Sequence, residues 1–455
     1  MLYRMDFEDT IVAMATPFGE SALAVIRLSG PAVPEIIKSV FQKTLIIRKA
    51  TFAPYISVDQ EVLDEVVATY YQAPASYTGQ ALLELSCHGS PFVARRIIDD
   101  CLKRGCRSAE PGEFTQRSFK NGKMDLSQAE AVIELIHARS ESARKVALNQ
   151  VGGLVSRTVS ELTDSLLLAL AQLEAYIDFP EEDLPPEDSK GPLQQIVRLG
   201  DRLESLANTS KYRALFTEGI RTVFVGAPNA GKSSLLNAFV GEERALVSEI
   251  EGTTRDYIRE GFNLGPFTIQ ILDTAGLRED SIDQVEQMGI ERTLEQIALA
   301  DCILWVIDGE APSLNLPDKV HSKMEEVFSY VLINKEDSNA VRVVDVADLK
   351  VPVFRVSAKT GSGLPEFLQS WQEDLEERLP DYGSESVIVS ARHEAALRES
   401  ACCLMEARTK LLNDAPVELA VSDLREAMDA LGKIVGKIDN ERMLDHLFSH
   451  FCIGK

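Results

Sequence analysis

The stretch "RTVFVGAPNAGKSS", residues 221–234, constrains this 455-residue chain more than any other. A β-branched run stops at a glycine, the spacing G-x-x-x-x-G-K-S follows, and a helical "LLNAFVG" comes next. Strand, tight loop and helix in so few residues open a βα unit. Backbone N–H groups of such a loop, backed by the positive end of the helix, form an anion cradle. Gly226, Asn229, Ala230, Gly231, Lys232, Ser233 and Ser234 are therefore expected around phosphates. Lys232 should reach the terminal ones, and the Ser233 hydroxyl should ligate Mg²⁺.

Between Arg221 and Leu379 the runs "FTIQILDTAG", "DCILWVIDG", "YVLINK" and "VPVFRVSAK" alternate with helical segments. This predicts a mostly parallel, doubly wound sheet. Three further motifs stand at strand ends. In "DTAG", Asp273 can support a Mg²⁺ shell and the Gly276 N–H can sense a γ-phosphate. In "NKED" (Asn334, Lys335, Asp337) the Asp337 carboxylate offers two acceptors to the N1–H and amino group of guanine, which adenine cannot match. "SAK" (Ser357, Ala358, Lys359) follows the last strand. The order and placement of the four motifs resemble the GTPase superfamily of P-loop proteins. Leu277 occupies the position after "DTAG" where many small GTPases carry a water-orienting glutamine, so hydrolysis must be organised otherwise. Asn229 and "SEIEGTTRD", with its backbone carbonyls and the Thr254 hydroxyl for Mg²⁺, suit a hard monovalent cation placed where an arginine finger would act. Such a charge is worth about 10³–10⁵ in rate. The alternative is that Asn229 only braces its loop, and spacing alone leaves both open.

The flanks differ in texture. Residues 1–120 mix strand-like "ALAVIRLSG" and "ALLELSCHG" with a helical "PFVARRIIDDCLKRG", an α+β pattern. Residues 121–216 and 383–455 carry apolar side chains at spacings of three and four, as in "LSQAEAVIELIHARSESARKVALNQV", "LQQIVRLGDRLESLANTSKYRALF" and "VELAVSDLREAMDALGKIV". The acidic "FPEEDLPPEDSKGP" between them reads as a loop. The expected architecture is multidomain α/β plus α. An N-terminal α+β domain (1–120) precedes a discontinuous helical domain (121–216 and 383–455) interrupted by the α/β domain (217–382).

Net charge is −24, yet residues 1–123 hold 14 basic and 14 acidic side chains, so the rest of the chain carries the whole excess. Phosphate neutralisation supplies most nucleic-acid affinity, so this acidic body argues against unaided RNA binding. Seven scattered cysteines without C-x-x-C spacing suggest reduced thiols. The acidic N-terminus and the lack of eighteen consecutive apolar residues point to a cytoplasmic protein that makes no use of a membrane.

Beyond the nucleotide motifs, "DTIVAMATPFG", "AVIRLSG", "ELSCHGS", "PGEFTQRSFKNGKMDLSQAEA", "AYIDFPEED", "EGTTRDYIRE", "VEQMGIERT" and the terminal "FCIGK" make the whole chain similar to the MnmE (TrmE) family of tRNA modification GTPases. The resemblance implies an enzyme that hydrolyses GTP with Mg²⁺ and K⁺ and forms a homodimer through its N-terminal domain. It implies that 5-formyl- or 5,10-methylene-tetrahydrofolate binds in that domain. The partner implied is the FAD-dependent MnmG (GidA), in a heterotetramer or larger complex, and tRNA is bound mainly with MnmG. Together the two build the aminomethyl or carboxymethylaminomethyl group at C5 of the wobble uridine of certain tRNAs.

By resemblance, Asn229, Ser248, Ile250 and Thr253 surround the potassium ion; Ser248 stands where the family often has threonine. Glu286 orients the attacking water, and Arg27, Glu84 and Lys123 hold the folate. Each of these residues, taken alone, also reads as a surface charge. "PFGESALA" departs from the glycine-rich, arginine-bearing version common in the family, so the lip of that pocket is expected to differ.

The tail admits two functional readings. His446 and His450, at i, i+4, with Cys452 nearby have metal-site spacing, but lack a fourth ligand. The family motif holds the cysteine and neither histidine, which favours a docked tail: Leu447, Phe448, Phe451 and Ile453 anchor it, Lys455 binds folate and Cys452 assists one-carbon transfer or guards the pocket. A rival function is a regulatory or ribosome-assembly GTPase without one-carbon chemistry. A basic RNA-reading domain beside the α/β segment would favour it, and the flanks are acidic and helical instead.

Overall fold

The computed structural model describes residues 8–178, 191–242, 261–272, 296–340, 342, 349–380, 383, 387–436, 451 and 454. The chain divides into two compact units, one of Met1–Ile133, Val151–Leu168 and Met428–Lys455, the other of Glu134–Gln150 and Ala169–Ala427.

The first unit is built on a six-stranded sheet of β1 (Ile11–Met14), β2 (Leu23–Ser29), β3 (Thr51–Ile56), β4 (Val62–Tyr71), β5 (Leu82–His88) and β6 (Arg107–Ser108), in the order β3-β4-β5-β2-β1-β6. Neighbours are antiparallel except β1 and β6. Helices α1 (Val33–Phe41) and α2 (Pro91–Lys103) each carry a proline in the first turn, where the missing N–H has no helical partner to lose. In α1 the apolar Val33, Ile36, Ile37, Val40 and Phe41 fall on one stripe and are buried. They share a core with Ile26, Leu28, Val66, Leu83 and Leu85 of the sheet and with Ala94, Ile97 and Cys101 of α2. Ile11 and Ala13 point the other way and pack with Ala109 and with Phe114 of α3 (Glu113–Lys120).

Helices α4 (Leu126–His137), α5 (Glu141–Val151) and α6 (Leu154–Asp178) follow. "LSQAEAVIELIHARSESARKVALNQV" keeps its apolar spacing throughout, yet it splits into α4 and α5. Ser140 stops the run: its Oγ accepts the Ala143 N–H at 3.1 Å, an N-cap bond that starts a new helix. "LQQIVRLGDRLESLANTSKYRALF", apolar at helical spacing throughout, likewise separates into α7 (Gly191–Ala207) and α8 (Ser210–Thr217). There Thr209 Oγ1 donates to the Leu206 carbonyl at 2.7 Å, the local side-chain bond by which hydroxyl residues compete with helix propagation.

The second sheet comprises β7 (Ile220–Val225), β8 (Gly261–Leu264), β9 (Phe267–Ile271), β10 (Cys302–Asp308), β11 (Phe328–Asn334) and β12 (Val353–Arg355), in the order β12-β11-β10-β7-β9-β8. All neighbours are parallel except the β8–β9 hairpin. In this unit lie helices α9 (Lys232–Glu242), α10 (Asp318–Met324), α11 (Leu364–Arg378) and α12 (Ala391–Leu412), while α13 (Val417–Val435) runs past its end. Every residue of β10, "CILWVID", is buried, as a strand covered on both faces requires. Leu304 and Val306 join Phe224, Phe239, Leu332, Phe367 and Trp371 on one face. Ile303, Trp305 and Ile307 join Val223, Val225, Val320 and Ile333 on the other. The strand order places the carboxyl ends of β7, β10, β11 and β12 at one edge, where open α/β sheets bind ligands.

Candidate functional site

That edge gathers four short loops. After β7 the chain turns through Gly226–Gly231 into α9, and both glycines have a left-handed φ, +143° and +91°. A Cβ on Gly226 would lie 2.1 Å from the Val306 carbonyl oxygen, and one on Gly231 would lie 2.1 Å from Asn334 Nδ2. No side chain fits at either place, because the β10 backbone and the Asn334 amide already fill it. Asn229 is also left-handed, φ 63°, a conformation asparagine tolerates, and its side chain is exposed. Lys232 Nζ donates to the Gly226 and Ala227 carbonyls at 3.0 and 2.9 Å, which keeps its ammonium on the rim of the loop. Ser233 is half-buried in the first turn of α9, with Ser234 exposed beside it.

Asn334, 2% exposed, joins three of the loops. Its Nδ2 donates to the Ala230 carbonyl at 2.9 Å, and its Oδ1 accepts the Ala358 N–H at 3.0 Å. The phosphate loop, "NKED" and "SAK" are thus one hydrogen-bonded piece. Asp337 Oδ1 accepts from Ser357 Oγ at 2.6 Å, and Lys359 Nζ stands 4.0 Å from Oδ2. The Ser357 bond holds the Asp337 carboxyl below its usual range, so it stays ionised as an acceptor. Lys335 has φ 69°, and its Nζ donates to Asp308 Oδ2 at 2.7 Å and Glu310 Oε2 at 3.4 Å. Asp308 and Glu310 carry no motif signal. Only the parallel register, which sets Asp308 opposite Asn334, brings them here.

In the first unit, Arg27 of β2 and Glu84 of β5 are register partners. Arg27 Nη2 and Nε donate to Glu84 Oε1 at 2.7 and 3.0 Å. The guanidinium lies over Tyr77 at 5.7 Å and Phe114 at 5.8 Å, and Glu84 Oε2 accepts from Tyr71 Oη at 3.4 Å. The pair is therefore a part-exposed ion pair set among aromatic rings, a mostly polar surface. Lys123 is exposed and its stem flanks Gly79, two residues from Tyr77. Of the tail, Phe451 is buried against Leu126 and Ala129. The Gly454 carbonyl accepts from Arg27 Nη1 at 3.3 Å. Gly454 has φ +95°, and a Cβ there would meet the Met14 carbonyl oxygen at 2.3 Å.

Beneath this surface Arg117 and Glu113, both fully buried, pair at 2.8 Å. Arg107 donates to Glu113 at 2.7 Å and to Asp9 at 2.7 Å, and Asp9 also accepts from Arg117. Sequence reading passed over this network because nothing local marks an arginine as buried. Ser248, Ile250, Thr253, Thr254, Asp273, Gly276, Glu286, His446, His450, Cys452 and Lys455 lie outside the described residues. Among the described residues no cluster of metal-ligating side chains occurs, and no helix is long and apolar enough to cross a membrane.

Two family models match the chain: "GTP-binding protein TrmE N-terminus" over residues 10–123 and "MnmE helical domain" over residues 126–452. The tRNA modification GTPase MnmE of Opitutus terrae is 44% identical over 449 residues, 98% of this chain and 99% of that protein. The protein of the same name from Aquifex aeolicus is 40% identical over 98% of this chain and 100% of its own length. Among solved structures, the G domain of the T. maritima FeoB iron transporter aligns at 25% identity over 34% of this chain and 98% of that chain, with a TM-score of 0.25. Matched end to end by relatives of this kind and by models of both its N-terminal and helical parts, the chain belongs to the MnmE family of tRNA modification GTPases.

Proposed function

We propose that this chain is a potassium-stimulated GTPase that acts with MnmG (GidA) and a one-carbon tetrahydrofolate. The product is the aminomethyl or carboxymethylaminomethyl group at C5 of the wobble uridine of certain tRNAs. The observation that carries the GTP part is the brace Ala230–Asn334–Ala358, which ties a phosphate cradle to a guanine reader through one buried side chain. Lys232 exchanges its two loop carbonyls for the terminal phosphates. Gly226 and Gly231 let the loop turn tightly against Val306 and Asn334, and Ser233 stands in the first turn of the helix that follows. Asp337 receives the N1–H and 2-amino group of guanine on its two oxygens while Ser357 keeps its orientation.

Magnesium, held by Ser233 and Thr254 with support from Asp273, supplies charge neutralisation at the phosphates; potassium, held by Asn229, Ser248, Ile250 and Thr253, supplies the positive charge an arginine finger would bring. Gly276 senses the γ-phosphate and Glu286 orients the water. Arg27, Glu84, Lys123 and Lys455 hold the folate, which supplies the carbon, and Cys452 assists one-carbon transfer or guards the substrate end of the pocket. Dimerisation through residues 1–120, a helical domain of 121–216 with 383–455, and a G domain of 217–382 complete the reading. The protein works in the cytoplasm, and its acidic body leaves most of the tRNA contact to MnmG.

The test is GTP turnover by the full chain in K⁺ against Na⁺. Turnover rises steeply in K⁺, and Asn229→Ala flattens the response while GDP affinity stays nearly intact. Equal rates of the unaltered protein in both salts refute the potassium mechanism.

A further inference from the structure

We propose that Asp308, assisted by Glu310, is a positioning residue for guanine recognition that acts through Lys335. The inference rests on the GTP reading above and deepens it. Lys335 separates Asn334, which faces the phosphate loop, from Asp337, which faces Ser357. The turn between them depends on a left-handed φ of 69° at a lysine. A bulky residue there is strained and persists only where the surroundings over-determine it.

The surroundings do so here. Asp308, 9% exposed, takes Lys335 Nζ on Oδ2 at 2.7 Å and the Glu310 N–H on Oδ1 at 2.9 Å. Glu310 takes Nζ on Oε2 at 3.4 Å and Ser338 Oγ on Oε1 at 2.6 Å. The Gly309 N–H donates to the Asn334 carbonyl at 2.9 Å, and the Gly309 carbonyl accepts the Arg342 N–H at 2.9 Å. The loop after β10 therefore clamps the loop after β11 on both sides of the strained lysine. The clamp is made entirely of the chain's own groups, which fixes the loop that carries the acceptors of Asp337. Burial opposes ionisation of Asp308, and the Lys335 bond overrides it, so the carboxylate is charged at neutral pH.

The test is a double-mutant cycle in the full chain with Asp308→Asn, Lys335→Met and the pair, read as dissociation constants for GDP and for IDP, which lacks the 2-amino group Asp337 accepts. Asp308→Asn should weaken GDP roughly ten- to hundredfold and weaken IDP less, because a displaced Asp337 loses the contact only guanine offers. The pair should be no weaker than Lys335→Met alone, and Asp308→Glu should restore part of the affinity. Additive losses in the cycle, or equal losses for GDP and IDP, overturn the proposal. Glu310→Gln, at a more exposed site, repeats the measurement with a smaller loss if Asp308→Asn fails to fold, and an unchanged GDP:IDP preference there overturns it as well. Failure of the unaltered chain to prefer GDP over ADP would instead strike the GTP reading itself.

Discussion

Asp337→Asn is the most direct test of base recognition. The replacement is isosteric, and Oδ1 of the amide still accepts from Ser357 Oγ, now 2.6 Å away, so the loop should keep its shape. The second oxygen becomes an NH₂ group. Where the carboxylate received two charge-assisted bonds from guanine, the amide can receive one neutral bond and opposes its own donor to the 2-amino group. Two such bonds at about 1.5–3 kcal/mol each, less about 1 kcal/mol for the neutral bond the amide keeps, put the loss near 2–5 kcal/mol, or about 30–5,000-fold in affinity. Xanthine carries a carbonyl at C2, to which the new NH₂ can donate, so the same substitution should raise affinity for XDP. The assay is fluorescence competition of GDP and XDP on the full chain. Because the Ser357 bond holds the Asp337 carboxyl below its ordinary range, GDP affinity of the unaltered protein should stay flat on this account from pH 8 down to pH 5. GDP binding weakened less than threefold by Asp337→Asn, or GDP and XDP weakened together, would refute the assignment of Asp337 as the base reader.

Three further outcomes follow from named contacts. Gly231→Ala places a methyl 2.1 Å from Asn334 Nδ2 at a φ of +91°, so it should cost at least about tenfold in GDP affinity by breaking the Ala230–Asn334 brace; unchanged affinity would contradict the close approach. Glu113→Gln takes from the buried Arg117 one of its two carboxylate partners, Asp9 remaining, and should lower stability by about 1.5–3 kcal/mol, read from thermal unfolding of the full chain. Burial opposes ionisation of Glu113, yet the Arg107 bond and its companions hold the carboxyl below the ordinary 4.5. Its contribution is therefore complete above that value and is lost as pH falls through the lower folded-state value; the unaltered protein should lose stability with acid in that window more steeply than the variant. Removing residues 452–455 should abolish tRNA modification with MnmG, measured by nucleoside analysis, and leave K⁺-dependent GTP hydrolysis intact; full modification would make the tail dispensable.

What the sequence disclosed and what it withheld divide along one physical line. β10 could be read from "CILWVID" because a strand covered on both faces is apolar at every step, and β7 with α9 could be read because an anion loop leaves glycines at fixed spacing. These are properties of neighbouring residues. The breaks at Ser140 and Thr209 were also local, each a single hydroxyl bond, but apolar periodicity ran through both and concealed them. Partnerships across the sheets are of another kind. Arg27 and Glu84 are 57 positions apart and meet because β2 and β5 pair in one register, so an arginine and a glutamate that look like separate surface charges become one ion pair over Tyr77 and Phe114. Asp308 meets Lys335 for the same reason, through β10 beside β11. A one-residue slip would turn either side chain to the opposite face and dissolve the pair. The motifs thus name the groups that touch a ligand, whereas the groups that hold them in place are chosen by register. A substitution at Asp308 should accordingly disturb its site as much as substitutions within the motifs themselves.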